Sequence, residues 1–239
     1  MGITIKGGTS IKNKSIVTDG LVFYVDAGNA DSYPGSGTTW TDLKSGSVAS
    51  TLTNGPTYSS SNGGSIVFDG TNDYSTNATL NITDYSSFTL EAWVNPDNSS
   101  SDHSIMGQWL TDGVAGPVIF YLDVDGAAVG YDIVVRCADN NIRRVSTDIA
   151  NGTIGAWNHV VCTFDSTSLK LYVNNSLIGT TSTASALKVN SNDGFAIGSD
   201  RTTGNRYWDG KIASVKIYNR VLSATEVAQN YNAHTNRFI

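Results

Sequence analysis

From Trp157 to Asn175 the chain reads WNHVVCTFDSTSLKLYVNN, and side-chain character changes there with a period of two. Val160, Cys162 and Phe164 fall on one side, opposite Trp157, His159 and Thr163. Leu169, Leu171 and Val173 then oppose Lys170 and Tyr172, the spacing of strands rather than of a helix. Asp165 to Ser168 forms a polar turn, and Asn174-Asn175 supplies two residues that tolerate positive φ, as a tight hairpin requires. Three successive strands, each with one apolar face, predict a sheet that packs on one side.

The rest of the composition agrees. With 239 residues the chain has the length of one large β-sandwich or two small domains, and no linker or charge run divides it. It carries 24 Gly and only Glu91 and Glu226 as glutamates, which disfavours long helices, while its Val, Ile, Tyr and Phe favour strands. A formal charge of -6 argues against nucleic acid as a partner, because phosphates reward basic surfaces. No apolar run has the length of a membrane span. The N-terminus, MGITIKGGTSIKNKS, lacks the apolar centre of a signal peptide. Asn-x-Ser/Thr triplets at Asn13, Asn77, Asn81, Asn98, Asn151 and Asn174 are then a consequence of composition. Cys137 and Cys162 sit in strand-like runs without metal spacing; buried free thiols are expected, with a bridge as the alternative.

Residues 1–18 hold few hydrophobes and three lysines, Lys6, Lys12 and Lys14, and read as an N-terminal arm before a domain spanning 19–239. Leu21 to Val25 is a strand, followed by a Gly-rich loop ending near Trp40 and a turn at Asn54-Gly55-Pro56. Two strands flank a turn at Asp69-Gly70. In SFTLEAWV, Phe88, Leu90, Ala92 and Val94 point in, Thr89, Glu91 and Trp93 point out, and Pro96 ends the strand. That outer face is either sandwich exterior or a contact with a neighbouring copy. Further strands are expected at Ile105–Trp109, VIFYLDVD, YDIVVRCA, IRRVSTDI, GFAIG and KIASVKIY. Ser223-Ala224-Thr225-Glu226 matches a capping box and predicts a short surface helix to about His234.

Four blocks in order resemble laminin G-like domains of the concanavalin A-like lectin/glucanase superfamily. They are GSIVFDGTNDY (64–74), FTLEAWVNP (88–96), the central hairpin, and AIGSD…GKIASVKIYNRVLSATEV (196–227). The upstream segment VTDGLVFYVDAGN…SYPGSGTTWTDL resembles, more narrowly, laminin G-like virion proteins of tailed bacteriophages, particularly those of marine bacteria. The resemblance implies an all-β, two-sheet antiparallel sandwich of the jelly-roll type, closed by a short C-terminal helix.

Three chemistries are open to this scaffold: catalysis, calcium binding and sugar binding. Glucanases of the superfamily use paired carboxylates on one strand, but Glu91 has no acidic neighbour at i+2 or i+4, Glu226 belongs to the capping box, and His103, His159 and His234 form no nucleophile triad. No catalytic residue is expected. Calcium in relatives is held by rim loops, which here carry Asp112 and Asp200, with Asp69 and Asp73 as a further acidic pair. The favoured reading is that such aspartates bond their own turns; calcium is an optional ligand, no metal is needed for folding, and no cofactor is required. Sugar binding draws on Trp109, Arg201, Arg206, Tyr207 and Trp208, because an aromatic face beside polar donors suits an oligosaccharide. For Trp208 core is the favoured reading, since relatives often have a buried Phe just before Asp-Gly, and ligand contact is the alternative.

The expected ligand-binding set is thus Trp109, Asp112, Asp200, Arg206 and Trp208. The expected function is a non-enzymatic phage virion protein, a head decoration, head fibre or tail-associated subunit, binding a glycan or host surface through a lectin-like domain. A free bacterial carbohydrate-binding module or adhesin, and a cement protein without a glycan ligand, are the alternatives. Expected partners are other virion proteins through the arm, a cell-surface glycan and further copies of the chain, with neither nucleic acid nor membrane. The expected location is the virion, after synthesis in the host cytoplasm.

Overall fold

The alternating segments become strands in the computed structural model, which describes residues 15–45, 49–97, 101–109, 116–123, 130–147, 154–189 and 194–239. The first half contributes β1 (Leu21–Asp26), β2 (Thr39–Thr41), β3 (Ala49–Thr53), β4 (Thr57–Ser59), β5 (Ser65–Asp69), β6 (Tyr74–Asn77), β7 (Phe88–Pro96) and β8 (His103–Gln108). The second half contributes β9 (Val118–Asp123), β10 (Gly130–Arg136), β11 (Ile142–Ser146), β12 (Asn158–Phe164), β13 (Ser168–Val173), β14 (Ser176–Ser182), β15 (Phe195–Ile197) and β16 (Asp209–Tyr218). Helix α1 (Ala224–Phe238) follows.

The described strands pair antiparallel and divide into two sheets. The first has the order β14-β13-β12-β7-β16-β5-β4, and β1 continues along β16 beyond β5. The second has the order β11-β10-β9-β8-β15-β6-β3-β2. The central hairpins keep the register of their pattern: Val160, Cys162 and Phe164 lie opposite Val173, Leu171 and Leu169. Asn174 and Asn175 take φ of 48° and 67° in the turn between β13 and β14. The Asp69-Gly70 turn differs from a hairpin, because β5 and β6 belong to opposite sheets and the chain crosses the sandwich there.

Between the sheets lies one core that includes Trp40, Phe68, Phe88, Leu90, Phe120, Ile133, Phe164 and Trp208. Cys137 and Cys162 are buried in it as free thiols, and burial pushes the Cys162 thiol well above its ordinary pKa. No described helix is long and apolar enough to cross a membrane.

The outer face of the first sheet departs from the sequence expectation. Glu91 and Trp93 do point away from the core, yet both are fully buried, because α1 lies across that face. The capping box forms as expected: the Ser223 hydroxyl accepts from Glu226 N, and the Glu226 carboxylate accepts from Ser223 N. The helix runs past His234 to Phe238, and its last turn explains why. Phe238 stacks on Trp93 at 4.5 Å and packs on Trp157 at 4.6 Å between ring centroids. The Arg237 guanidinium grips both Asp26 carboxylate oxygens at 2.9 and 2.8 Å.

Beneath the helix is a buried polar cluster. Lys216 Nζ donates to Glu91 Oε1 at 2.9 Å, His159 Nε2 lies 3.2 Å from the same oxygen, and Asn230 Nδ2 donates to Glu91 Oε2 at 2.5 Å. Asn230 Oδ1 accepts from Val17 N, and the Tyr218 hydroxyl donates to Val17 O. The last residues of the expected arm, 15–18, therefore rest on the sandwich, with Val17 buried. The remainder, with Ile3, Ile5, Lys6, Lys12 and Lys14, lies outside the described residues.

Burial alone would raise the Glu91 pKa; the Lys216 ammonium and hydrogen bonds from His159 and Lys216 overrule it and hold the carboxyl far below its usual range. A depressed folded-state pKa contributes stability above the unfolded value of about 4.3, which is lost as pH falls below it. Glu91→Ala strands a buried ammonium and should cost about 3–5 kcal/mol, whereas Glu91→Leu with Lys216→Met should recover much of that. Denaturant titrations at pH 7 and pH 3 check both points: the wild type should lose stability at the lower pH, and the double variant should lose less.

Candidate functional site

The outer face of the second sheet is built differently. Strand β9 sends Val118, Phe120 and Leu122 into the core, while Ile119 and Tyr121 face outward. Val134 of β10 joins them, and Trp109, just after β8, packs against the three. Ile142 and Arg144 of β11 and Arg206 complete a groove of about 210 Å³. Its floor is apolar and its rim carries two guanidinium groups.

One wall is the segment 198–208, laid along β8 by three backbone hydrogen bonds: Gly198 N to Ile105 O, Trp109 N to Asp200 O, and Ser104 N to Arg206 O, at 2.7–2.8 Å. This contact requires glycine at position 107, where a Cβ would stand 2.8 Å from the Asp200 carbonyl oxygen. The fully buried Asp200 carboxylate anchors the segment. It accepts from Arg201 Nε at 2.9 Å and Nη2 at 3.2 Å, Arg206 Nη1 at 3.0 Å, and Asn205 Nδ2 at 3.2 Å. Arg206 is held with φ of 47°, a left-handed conformation that costs a non-glycine residue about 1–2 kcal/mol. Such strain persists only where surroundings over-determine it, as Asp200 and Asp102, 3.5 Å from Arg206 Nε, do here.

At the far rim Arg144 contacts both Asp123 and Asp132, and its Nε donates to the Ser146 hydroxyl at 2.8 Å. Burial pushes the Asp132 carboxyl up to about 6, against hydrogen bonds with Ser146 and Tyr121 that lower it. At neutral pH it is ionised, and the guanidinium against it favours that form. Burial, and then the Asp132 charge, push the Tyr121 phenol up to about 12, so it stays a neutral donor.

The expected residues separate on these facts. Trp109 and Arg206 meet in the groove. Asp200 lies behind Arg206 as its anchor, and Arg and Asn nitrogens occupy its carboxylate where a calcium ligand would need open oxygens. Asp112 lies outside the described residues. Trp208 is corrected from ligand contact to core, the reading favoured for it: its side chain is 0% exposed between the sheets and no ring face reaches solvent. Asp69 bonds the backbone N–H groups of Thr71, Asn72 and Asp73, the turn role favoured for it. Among the described residues no group of three His, Cys, Asp or Glu side chains could hold a metal ion. Glu91 lies under α1, on the sheet opposite the groove.

Sequence reasoning missed Ile119, Tyr121, Val134, Ile142 and Arg144. A signal was present: VIFYL is apolar at consecutive positions, and an unbroken run marks a strand with apolar character on both faces. Asp200→Ala should release Arg201 and Arg206 together, cost about 1–3 kcal/mol, and make the 198–208 segment the first site of limited proteolysis. Thermal unfolding and mass mapping of the first cut read this out.

The comparisons with known proteins agree with this architecture. The Laminin_G_3 family model, described as concanavalin A-like lectin/glucanases superfamily, matches residues 69–228. No curated protein sequence matches the chain. Among solved structures, Trypanosoma rangeli sialidase in complex with sialic acid is similar with a TM-score of 0.68 and 17% identity, over 94% of this chain and 34% of that one. The botulinum neurotoxin serotype D ligand binding domain in complex with N-acetylneuraminic acid has a TM-score of 0.63 and 11% identity, over 89% of this chain and 50% of that one. Domain 4 of AbnA, a GH43 extracellular arabinanase from Geobacillus stearothermophilus, in complex with arabinotriose, has a TM-score of 0.65 and 14% identity, over 88% of this chain and 98% of that one. At such identities the likeness is one of fold. The chain spans a third to a half of the first two proteins and nearly all of the third. With more than half of its residues matched by the family model, the chain belongs to the Laminin_G_3 family of the concanavalin A-like lectin/glucanases superfamily.

Proposed function

We propose that this chain is a non-enzymatic, lectin-like binding domain whose groove on the second sheet takes an oligosaccharide. The observation that carries the reading is the groove itself, where Trp109 and Tyr121 offer ring surface beside the guanidinium donors of Arg144 and Arg206. Aromatic faces cover the C–H patches of a pyranose or furanose ring, and fixed donors read its hydroxyls. The volume, about 210 Å³, lies below the range of about 300–1,000 Å³ usual for small-molecule pockets, so a single site should bind weakly. Many copies on one particle would raise avidity by about a hundred- to ten-thousand-fold.

That need for many copies fits the more specific part of the proposal, a virion subunit of a tailed bacteriophage. Its support is the resemblance of residues 17–43 to the opening of such proteins; the family match begins only at residue 69. Residues 1–14 with their lysines are the proposed docking arm to other virion proteins. A second reading, a free carbohydrate-binding module, draws on the likeness to a whole arabinanase domain, 98% of which is covered. Both readings share the groove and differ in partner.

Trp109→Ala and Tyr121→Ala should each weaken glycan binding at least about tenfold, the scale of one lost aromatic contact of about 1.4 kcal/mol. Calorimetric titration with oligosaccharides selected from a glycan array measures this; unchanged affinity in both variants would move the site elsewhere. A chain beginning at Ser15 should keep a cooperative melt and lose incorporation into particles. Incorporation at the wild-type level would remove the docking role of the arm.

A further inference from the structure

We infer that the groove is selective for neutral sugars and discriminates against acidic ones, an inference that rests on the groove being a sugar site. Two arginines at the mouth of a small pocket suggest, at first sight, a receptor for a carboxylate or sulfate. The charges behind them reverse that reading. Arg144 is held against Asp123 and Asp132, and Arg206 against Asp200 and Asp102. Asp200 also takes Arg201, so three guanidinium groups face four carboxylates in this cluster. The cluster as a whole is negative by one charge at neutral pH.

The carboxylates are also better buried than their partners. The Asp132 and Asp200 side chains are 1% and 0% exposed, whereas those of Arg144 and Arg206 are 46% and 38% exposed. A ligand therefore touches guanidinium N–H groups while sitting in a field the aspartates have already neutralised. Bonds to Asp123, Asp132 and Ser146 use Arg144 Nη2 and Nε; bonds to Asp102 and Asp200 use Arg206 Nε and Nη1. Arg144 and Arg206 both line the groove, so their guanidinium N–H groups are the donors a ligand meets there. Donors whose charge is compensated suit the oxygen of a hydroxyl. An incoming anion would instead have to compete with two carboxylates at each guanidinium, within a few ångströms and in a partly dry site where like charges repel strongly.

The apolar floor of Ile119, Tyr121 and Val134 offers a ring its C–H faces and nothing to a charge. The sialic acid compounds in two of the similar structures are thus not the ligand class inferred for this groove.

The test is calorimetric titration of the full chain with matched pairs: lactose against sialyllactose, and galactan against galacturonan trisaccharides. The neutral member of a pair should bind at least about tenfold more tightly, with an affinity that is flat between low and high salt. Asp123→Asn and, separately, Asp102→Asn each remove one neutralising charge, the first from a buried and the second from a half-buried position, and should narrow that gap by strengthening the acidic member. Acidic sugars that bind as tightly as neutral ones, and lose binding in Trp109→Ala, would overturn the neutral preference while leaving the groove a sugar site. Binding by no member of either pair, nor by glycans on a broad array, would overturn the sugar site and this inference with it.

Discussion

Glu91 is a full charge placed where no water reaches it, and the arrangement of the first sheet follows from the need to satisfy it. Lys216 from the adjacent strand and His159 from the strand on the other side approach one oxygen, and Asn230 must come from α1 to reach the other. Neither partner strand can be moved by a residue without sending its inward row to the wrong face. The helix has equally little freedom, because the same Asn230 ties it to Val17 and Tyr218. Replacing this cluster by apolar groups would leave a sandwich with a greasy outer face and a helix able to slide on it. The buried ions specify where the helix docks, a role distinct from adding net stability.

The helix covers one sheet, and the proposed site lies on the outer face of the other. Its outer face holds an apolar cluster of the same kind as the one beneath α1, but what stands over Ile119, Tyr121 and Val134 is Trp109 and two arginine side chains rather than a helix. The rim arginines are rigid because each is tied to two carboxylates, and Arg206 is kept in a left-handed backbone conformation by the same ties. Rigidity of this kind suits recognition, since little side-chain freedom remains to be lost when a ligand arrives. It also sets the sign of the local field, which is why the carboxylates behind the groove matter as much as the residues lining it.

The groove explains how a fold shared with sialidase, toxin and arabinanase domains can be put to separate uses. The sandwich is a property of the scaffold, and the likeness to those proteins is one of overall fold. Contacts at the groove are made by side chains at a handful of positions, which neighbours of 11–17% identity have no need to share.

The sequence alone was sufficient for the two-sheet fold, the register of the central hairpins, the crossing at Asp69-Gly70 as a turn, and the helix start at Ser223. Each depends on neighbours in the chain: alternation decides which face is buried, Asn-Asn and Asp-Gly accept the turn geometry, and a serine and a glutamate three residues apart cap a helix. Trp109 and Arg206, named from the sequence as an aromatic and a cation in loops, do line one groove, and whether that groove binds a ligand is the proposal made above. Tertiary structure decided the rest. Alternation placed Glu91 and Trp93 on an outer face, but only the docking of α1, some 130 residues later in the chain, made that face an interior. Asp200 stood between a turn aspartate and a rim ligand until its Arg and Asn partners were in place, and Trp208 between core, the favoured reading, and ligand contact until the sheets closed over it. Tyr121, Val134 and Arg144 belong to three different strands, and no local pattern records that their outer faces meet. Burial of an outer face and compensation of a charge are properties of pairs distant in sequence, and a period of two carries no information about what comes to rest on top of it.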